Sequence, residues 1–130
     1  MDISSNFHDL FEKKVLANLA TLMSDGTPHI TPVWIDFDGV YLIVNTVKGR
    51  VKDRNMRKNR QVAISIMDPD NPYRYLGIRG RVEIITEEGA KAHLDKLAKK
   101  YLNITTTKKH KDIRVIFKIK PEKVYGNDPN

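Results

Sequence analysis

The chain has 130 residues, which reads as one domain spanning 1–130, and carries 23 Lys and Arg against 16 Asp and Glu for a net charge of +7. It contains no cysteine, which excludes a disulfide framework, a thiolate metal site and a cysteine nucleophile. No segment approaches the ~20 apolar residues of a membrane helix, and Met1-Asp2-Ile3-Ser4-Ser5-Asn6 lacks the cationic start and apolar run of a signal peptide, so the expected location is the cytoplasm.

Ser5 to Lys13 reads as a short amphipathic helix, capped by Ser5 or Asn6, with Phe7, Leu10 and Phe11 on one face. Val15 to Met23 reads as a strand, Ser24-Asp25-Gly26-Thr27-Pro28 as a turn and His29 to Phe37 as a second strand. Asp38-Gly39 is another hairpin turn, and Val40 to Val47 a third strand. A basic helix follows. Gln61 to Met67 is a fourth strand, and Asp68 to Pro72 a loop, since two prolines interrupt any ladder. Tyr73 to Ile85 is a long fifth strand. Thr86 to Leu102 reads as a helix, with Thr86 as cap and Ala90, Leu94, Leu97, Ala98, Tyr101 and Leu102 as its buried stripe. Ile113 to Ile119 is a sixth strand, and Gly126 to Asn130 a frayed tail. The expected fold is mainly β: a six-stranded antiparallel barrel with flanking helices, closed so that strand edges are removed.

The most informative stretch is Asn45 to Arg60. It places seven Lys or Arg between 48 and 60 with a single acid, Asp53, after a strand that ends in Asn45-Thr46 and turns at Gly49. Backbone N–H groups, a helix dipole and cations together make a plausible phosphate cradle. On a helical wheel Arg50, Asp53, Arg54 and Arg57 share a side expected to be wet. Lys52 lies on the packed side with Val51, Asn55 and Met56, which solvation explains less easily.

Two further anomalies stand out. The fifth strand sets Leu76, Ile78, Val82 and Ile84 on a core face, against Tyr73, Tyr75, Gly77, Arg79, Arg81 and Glu83 on the other, a face suited to a planar ligand or a second chain. Pro32-Val33-Trp34 sits mid-strand, which implies an edge or an interrupted ladder with free backbone groups. His8, His29, His93 and His110 are scattered and read as surface or loop residues, so no metal site is expected. No nucleophile elbow or phosphate-binding P-loop is present, so a bound cofactor is expected to carry any reactive atoms, and no catalytic side chain is assigned. Only Tyr73 and Tyr75 could serve as stacking platforms for single-stranded nucleic acid, which argues against that partner.

The order of segments is Ala-Thr-Leu-Met-Ser-Asp-Gly-Thr-Pro-His (20 to 29), Pro-Val-Trp (32 to 34), Asn-Thr (45, 46), Gly-Arg-Val-Lys-Asp-Arg-Asn (49 to 55), Val-Ala-Ile-Ser-Ile (62 to 66), Pro-Tyr-Arg-Tyr-Leu (72 to 76) and Ile-Arg-Gly-Arg-Val-Glu (78 to 83). Over about residues 7 to 126 it resembles the pyridoxamine 5′-phosphate oxidase-like split β-barrel proteins, in particular the branch of F420-dependent enzymes. The resemblance implies a homodimer with two cofactor sites at the subunit interface. The cofactor would be the deazaflavin coenzyme F420 or, alternatively, FMN. Arg50 and Lys52 would hold its phosphate and Thr46 would donate a hydrogen bond. Pro32, Val33, Trp34 and Asn45 would line the ring, and Tyr73, Tyr75 and Arg79 would come from the second subunit. Lys48, Val51 and Asn55 complete the expected cofactor-binding set.

Members that oxidise pyridoxamine phosphate carry further C-terminal residues beyond the strand that here ends in Pro121 to Gly126, so the resemblance favours a reductase. Its expected activity is hydride transfer from reduced F420 to an unsaturated or heterocyclic small molecule, with an FMN-binding protein or a non-enzymatic flavin or deazaflavin carrier as alternatives. Lys48, Arg54, Arg57 and Lys58 are spare cations that suit the more anionic deazaflavin, whose tail bears several carboxylates.

Overall fold

A computed structural model of the chain describes residues 2–104 and 112–129; His110 lies outside them. The chain opens with a 3-10 helix, Ser5–Phe11, whose cap is Ser4: its hydroxyl accepts the Asn6 N–H at 3.3 Å. Leu10 and Phe11 are buried as expected, and Phe7 packs on the same core.

Seven strands follow in a single antiparallel sheet, one more than expected: β1 (Leu16–Leu22), β2 (Pro28–Trp34), β3 (Asp36–Phe37), β4 (Leu42–Val47), β5 (Gln61–Asp68), β6 (Asn71–Thr86) and β7 (Arg114–Asn127). Their order is β2-β1-β5-β6-β7-β4-β3. The sheet curls so that β2 also approaches β4, giving the expected split-barrel form as a half-barrel; β2 and β3 remain edge strands, where a closed barrel without edges is expected.

The extra strand arises at Ile35, where the predicted second strand breaks. The Ile35 side chain is fully buried, and its N–H donates to the Tyr101 hydroxyl at 3.2 Å instead of to a ladder. Residues before the break pair with β1 and residues after it pair with β4, so one segment serves both edges. Helix α1 (Val51–Lys58) crosses from β4 to β5, and α2 (Ala90–Leu102) links β6 to β7.

Several boundaries differ from expectation. The loop after β5 is shorter, because Asn71 already pairs with Asp68. Strand β6 runs on to Thr86, and α2 begins only at Ala90, behind Gly89 at φ +74. Thr86 accepts the Glu88 N–H in the connecting turn rather than capping the helix. Leu102 is exposed, outside the buried stripe. In β6 the register shifts at Arg79/Gly80 and at Val82/Ile84. The second shift turns Ile84 outward, 38% exposed, and brings Ile85 against the core. Strand β7 continues through Gly126 and Asn127, where a frayed tail was expected, and Asn127 donates to the Tyr73 carbonyl at 2.8 Å. Within β7 the buried run is Val115, Ile116, Phe117 and Ile119, while Ile113 stays exposed.

The core fills the inside of the curl: Leu10, Leu19, Ile35, Leu42, Val44, Met56, Ile64, Ile66, Leu76, Ile78, Phe117 and Ile119. Among the described residues no helix is long and apolar enough to cross a membrane.

Candidate functional site

β4 delivers Asn45 and Thr46 to one end of the curled sheet, and Gly49 at φ +97 turns the chain into α1. A glycine suits this left-handed turn. The cradle expected here is partly occupied by the protein itself. Asp53, read from the helical wheel as a wet residue, is 2% exposed. It accepts the Gly49 N–H at 2.8 Å and the Arg57 Nε at 2.8 Å. Arg54 donates to the Gly49 carbonyl at 2.8 Å. Asp53 therefore closes the turn and neutralises Arg57, and Arg50 and Lys52 are left facing a pocket.

That pocket has a volume of about 240 Å³. Pro32, Val33 and Trp34 form one wall, Asn45 and Thr46 the floor, and Arg50, Lys52 and Arg114 a cationic side. Leu16, Leu94 and Leu97 complete the lining, in which there is no carboxylate. Burial first, then the charges of Arg50 and Arg114, pull Lys52 below its ordinary pKa. Burial and Arg50 do the same to Arg114, against an opposing pull from Asp112. Among the described residues the Thr46 hydroxyl is buried without a hydrogen-bond partner. Half-buried Lys52 and Arg114 beside the exposed Arg50 leave a surplus of positive charge here, and a buried hydroxyl without a partner among the described residues is costly unless a ligand completes it.

The Trp34 ring stacks on Tyr101 with centroids 5.0 Å apart and planes within 5°. The Tyr101 hydroxyl donates to the Val15 carbonyl at 2.6 Å while accepting from Ile35, so the stack is held in place. The aromatic wall is thus preorganised for a flat ligand.

Behind the pocket lies a hydrogen-bonded chain. Arg114 Nε donates to Asn45 Oδ1 at 2.8 Å, and its Nη2 to the Asn45 carbonyl at 3.4 Å. Asn45 Nδ2 donates to the Ala90 carbonyl at 2.8 Å and lies 3.1 Å from His93 Nδ1. His93 Nε2 lies 2.9 Å from Asp36 Oδ2, which Lys96 also reaches at 3.1 Å. Burial opposes ionisation of Asp36, but the hydrogen bonds from His93, Lys96 and the Phe37 N–H outweigh it and hold its carboxyl well below the usual carboxylate range.

Of the thirteen residues proposed from sequence, Pro32, Val33, Trp34, Asn45, Thr46, Arg50 and Lys52 meet in this one pocket. The others do not line it. Lys48 pairs with Glu87 at 3.1 Å on the surface. Val51 is partly buried on α1. Asn55 is buried, donating to Thr21 Oγ1 at 3.0 Å and to Met23 Sδ. Tyr73 and Tyr75 are exposed on β6, and Arg79 lines a separate cleft of about 670 Å³ with Pro28, Gln61 and Lys123. Among the described residues no three His, Asp or Glu side chains gather as metal ligands.

Arg114 and His93 escaped the sequence reading. Arg114 stands just before an apolar alternation and looks like a strand-end charge. It reaches the site through the β4–β7 register, which pairs it with Val47. His93 carries the sequence signature of a surface or loop residue, yet it lies on α2 between Asn45 and Asp36. The spacing of Asn45, His93 and Asp36 along the chain carries no local signal.

The family model described as pyridoxamine 5′-phosphate oxidase matches residues 3–128. Among solved structures, an F420 reductase is 36% identical, covering 95% of this chain and 98% of that one, with a TM-score of 0.85. The conserved hypothetical protein Rv2991 from Mycobacterium tuberculosis is 22% identical, over 98% of this chain and 86% of its own, with a TM-score of 0.76. HupZ from Group A Streptococcus is 23% identical, over 95% and 93%, with a TM-score of 0.71. These last two share the fold. No curated protein matches the chain. With a family model spanning residues 3–128 of a curled seven-stranded sheet, the chain belongs to the pyridoxamine 5′-phosphate oxidase family.

Proposed function

We propose that this protein is a reductase that binds coenzyme F420 and passes hydride to an unsaturated or heterocyclic small molecule. The observation that carries the reading is the pocket's unbalanced charge: Arg50, Lys52 and the Thr46 hydroxyl, which has no partner among the described residues, line one cavity whose described lining holds no carboxylate. Family membership supports an oxidoreductase, and the 36% identical F420 reductase supports a deazaflavin over FMN.

The residues present fit such a ligand at its phosphate end. Arg50 and Lys52 would supply charge-assisted hydrogen bonds to the phosphate, and Thr46 its hydroxyl. Trp34, locked on Tyr101, would set the plane of the ring. Strand β2 is an edge of the sheet, so its outer backbone groups are free to meet the heterocycle's polar rim. When bound, the deazaflavin supplies the hydride from a ring carbon; the protein binds, orients and excludes water. A cavity of about 240 Å³ is below the ~300–1,000 Å³ of a complete ligand site. In a dimer, one chain would supply part of the enclosure, and Tyr73, Tyr75 and Arg79 would close the site of the other subunit.

The spare cations are fewer than the sequence implies, since Lys48 pairs with Glu87, Arg57 with Asp53, and Arg54 with the Gly49 carbonyl. Lys48 and Glu87 are both about half exposed, a weak pair that a ligand carboxylate could displace. The test is to titrate the protein with F420 and with FMN at low and high salt. F420 is expected to bind more tightly, by a margin that shrinks as salt screens its tail carboxylates. Tighter FMN binding at every salt concentration would move the protein to an FMN-binding role.

A further inference from the structure

Beyond Arg50 and Lys52, the pocket holds a third cation with an unusual support. Arg114 comes from β7, a strand distant in sequence from α1, and among the described residues it forms no ion pair with an acid. Its Nε and Nη2 are both spent on one residue, Asn45, through the side-chain oxygen at 2.8 Å and the backbone oxygen at 3.4 Å. A guanidinium gripped along that edge cannot rotate freely, and it keeps donors to spare.

The grip is itself fixed. Arg114 has only donors and the Ala90 carbonyl only accepts, so the Asn45 amide has one possible orientation, with Oδ1 toward Arg114 and Nδ2 toward Ala90 and His93. His93 Nδ1 therefore faces a donor and is the accepting nitrogen, leaving Nε2–H to donate to Asp36. Asp36 is tied in turn by Lys96 and by the Phe37 N–H at 2.8 Å. Every link has a single sense, running from the Asp36 carboxylate on β3 to a cation in the pocket. Thr46, 2% exposed and with no partner for its hydroxyl, lines the same pocket.

We propose that Arg114 is a third anion-holding cation of this pocket, and that His93 is a positioning residue that fixes its guanidinium through Asn45. The ligand group it takes is a phosphate. The inference rests on the phosphate-ended ligand read above, and the experiment separates the two.

Two ring-matched pairs are titrated by calorimetry against the wild-type chain, Arg114→Gln, His93→Ala and the double variant. The pairs are FMN against riboflavin, which differ by the phosphate alone, and F420 against the ribityl deazaflavin lacking phosphate and tail. Loss of a charge-assisted contact should weaken the phosphate-bearing members about tenfold or more in Arg114→Gln, and the ribityl members less than about twofold. His93→Ala should weaken the phosphate-bearing members roughly three- to tenfold and add nothing in the Arg114→Gln background, as for residues acting in one chain. Equal losses with and without the phosphate would overturn the role of Arg114, and full additivity in the double variant would overturn the role of His93.

If the wild-type chain binds neither pair, the cofactor reading fails, and inorganic phosphate decides the rest. Trp34 is the only tryptophan and lines the pocket, so its emission reports occupancy. A change with phosphate but not with chloride at equal ionic strength, diminished in Arg114→Gln, supports the proposal. No change in the wild type, or an undiminished one in the variant, overturns it. Thermal unfolding of each variant confirms that the fold persists.

Discussion

Lys52 holds its charge against burial and against two neighbouring guanidinium groups. The sign of this strain follows from linkage. Its folded pKa lies below the unfolded value of 10.5, so between the two the unfolded chain binds more protons and stability rises with pH. At neutral pH the folded protein bears the cost of a charge kept for a ligand. Lys52→Met should therefore slightly raise the unfolding temperature of the ligand-free protein while weakening a phosphate-bearing ligand roughly tenfold or more. Arg54→Ala is the comparison, since Arg54 is exposed and its guanidinium donates to a backbone oxygen; its effect on binding should stay below about 1 kcal/mol. Calorimetric unfolding and ligand titration on the same samples check both. A fall in unfolding temperature for Lys52→Met would mean that its aliphatic stem, not its charge, governs the site.

At the scale of elements, β6 does two jobs. Its Arg74, 6% exposed, fastens the 3-10 helix to the sheet: it donates to Asp9 at 2.7 Å, to Asp68 at 2.8 Å and to the Asn6 carbonyl. The Asp70 N–H, the Arg74 guanidinium and Lys13, against opposing burial, hold the Asp68 carboxyl down to about 2. A depressed carboxylate contributes stability that is fully present above about pH 4 and is lost as pH falls through about 2. Asp68→Asn should thus cost about 2 kcal/mol at pH 7, and the gap to wild type should close between pH 4 and pH 2 in denaturant titrations. A gap independent of pH would assign the loss to packing. The second job of β6 is its bulges. At the first, a Cβ on Gly80 would meet the Lys120 carbonyl oxygen and Ile119 Cγ2 at 2.8 Å, both held in the facing strand. Gly80→Ala should lower the unfolding midpoint by an overpacking cost of about 1–3 kcal/mol. Gly77→Ala should cost less, because the clash there is with the ring of Tyr125, which is 46% exposed and able to swing aside.

At the scale of the whole molecule, the proposed dimer has a test. Tyr73 is 75% exposed, and Ile30, Met67 and Tyr75 also reach solvent. Aromatic residues are enriched at protein interfaces, so the exposed Tyr73 and Tyr75 suit a proposed contact with a second copy. Light scattering at micromolar concentration should give about twice the 15.0 kDa chain mass. Tyr75→Asp should shift the protein toward monomer and also weaken cofactor binding, although Tyr75 does not line the pocket of its own chain. A monomer that binds cofactor with unchanged affinity would show that each chain holds a complete site.

Local signals carried much of this protein. Asp25-Gly26 and Asp38-Gly39 made hairpins, and period-two alternation marked β1 and β5, because turn chemistry and strand pleat act between neighbours. The same locality placed Thr46, Arg50 and Lys52 beside one another at a strand-to-helix turn. What the sequence left open depended on who sits opposite whom. Asp53 is a surface acid on a helical wheel and a buried cap in the fold, because Gly49 and Arg57 fold back over it. Ile35 breaks a strand because Tyr101, from a distant helix, takes its N–H. Arg114 enters the pocket only when β7 pairs with β4, and His93 becomes part of the site only when α2 docks against Asn45 and Asp36. Patterns of a few residues encode local geometry. The counter-charge, burial and orientation that make a side chain functional are set by sheet register and helix docking, which close only in the tertiary structure.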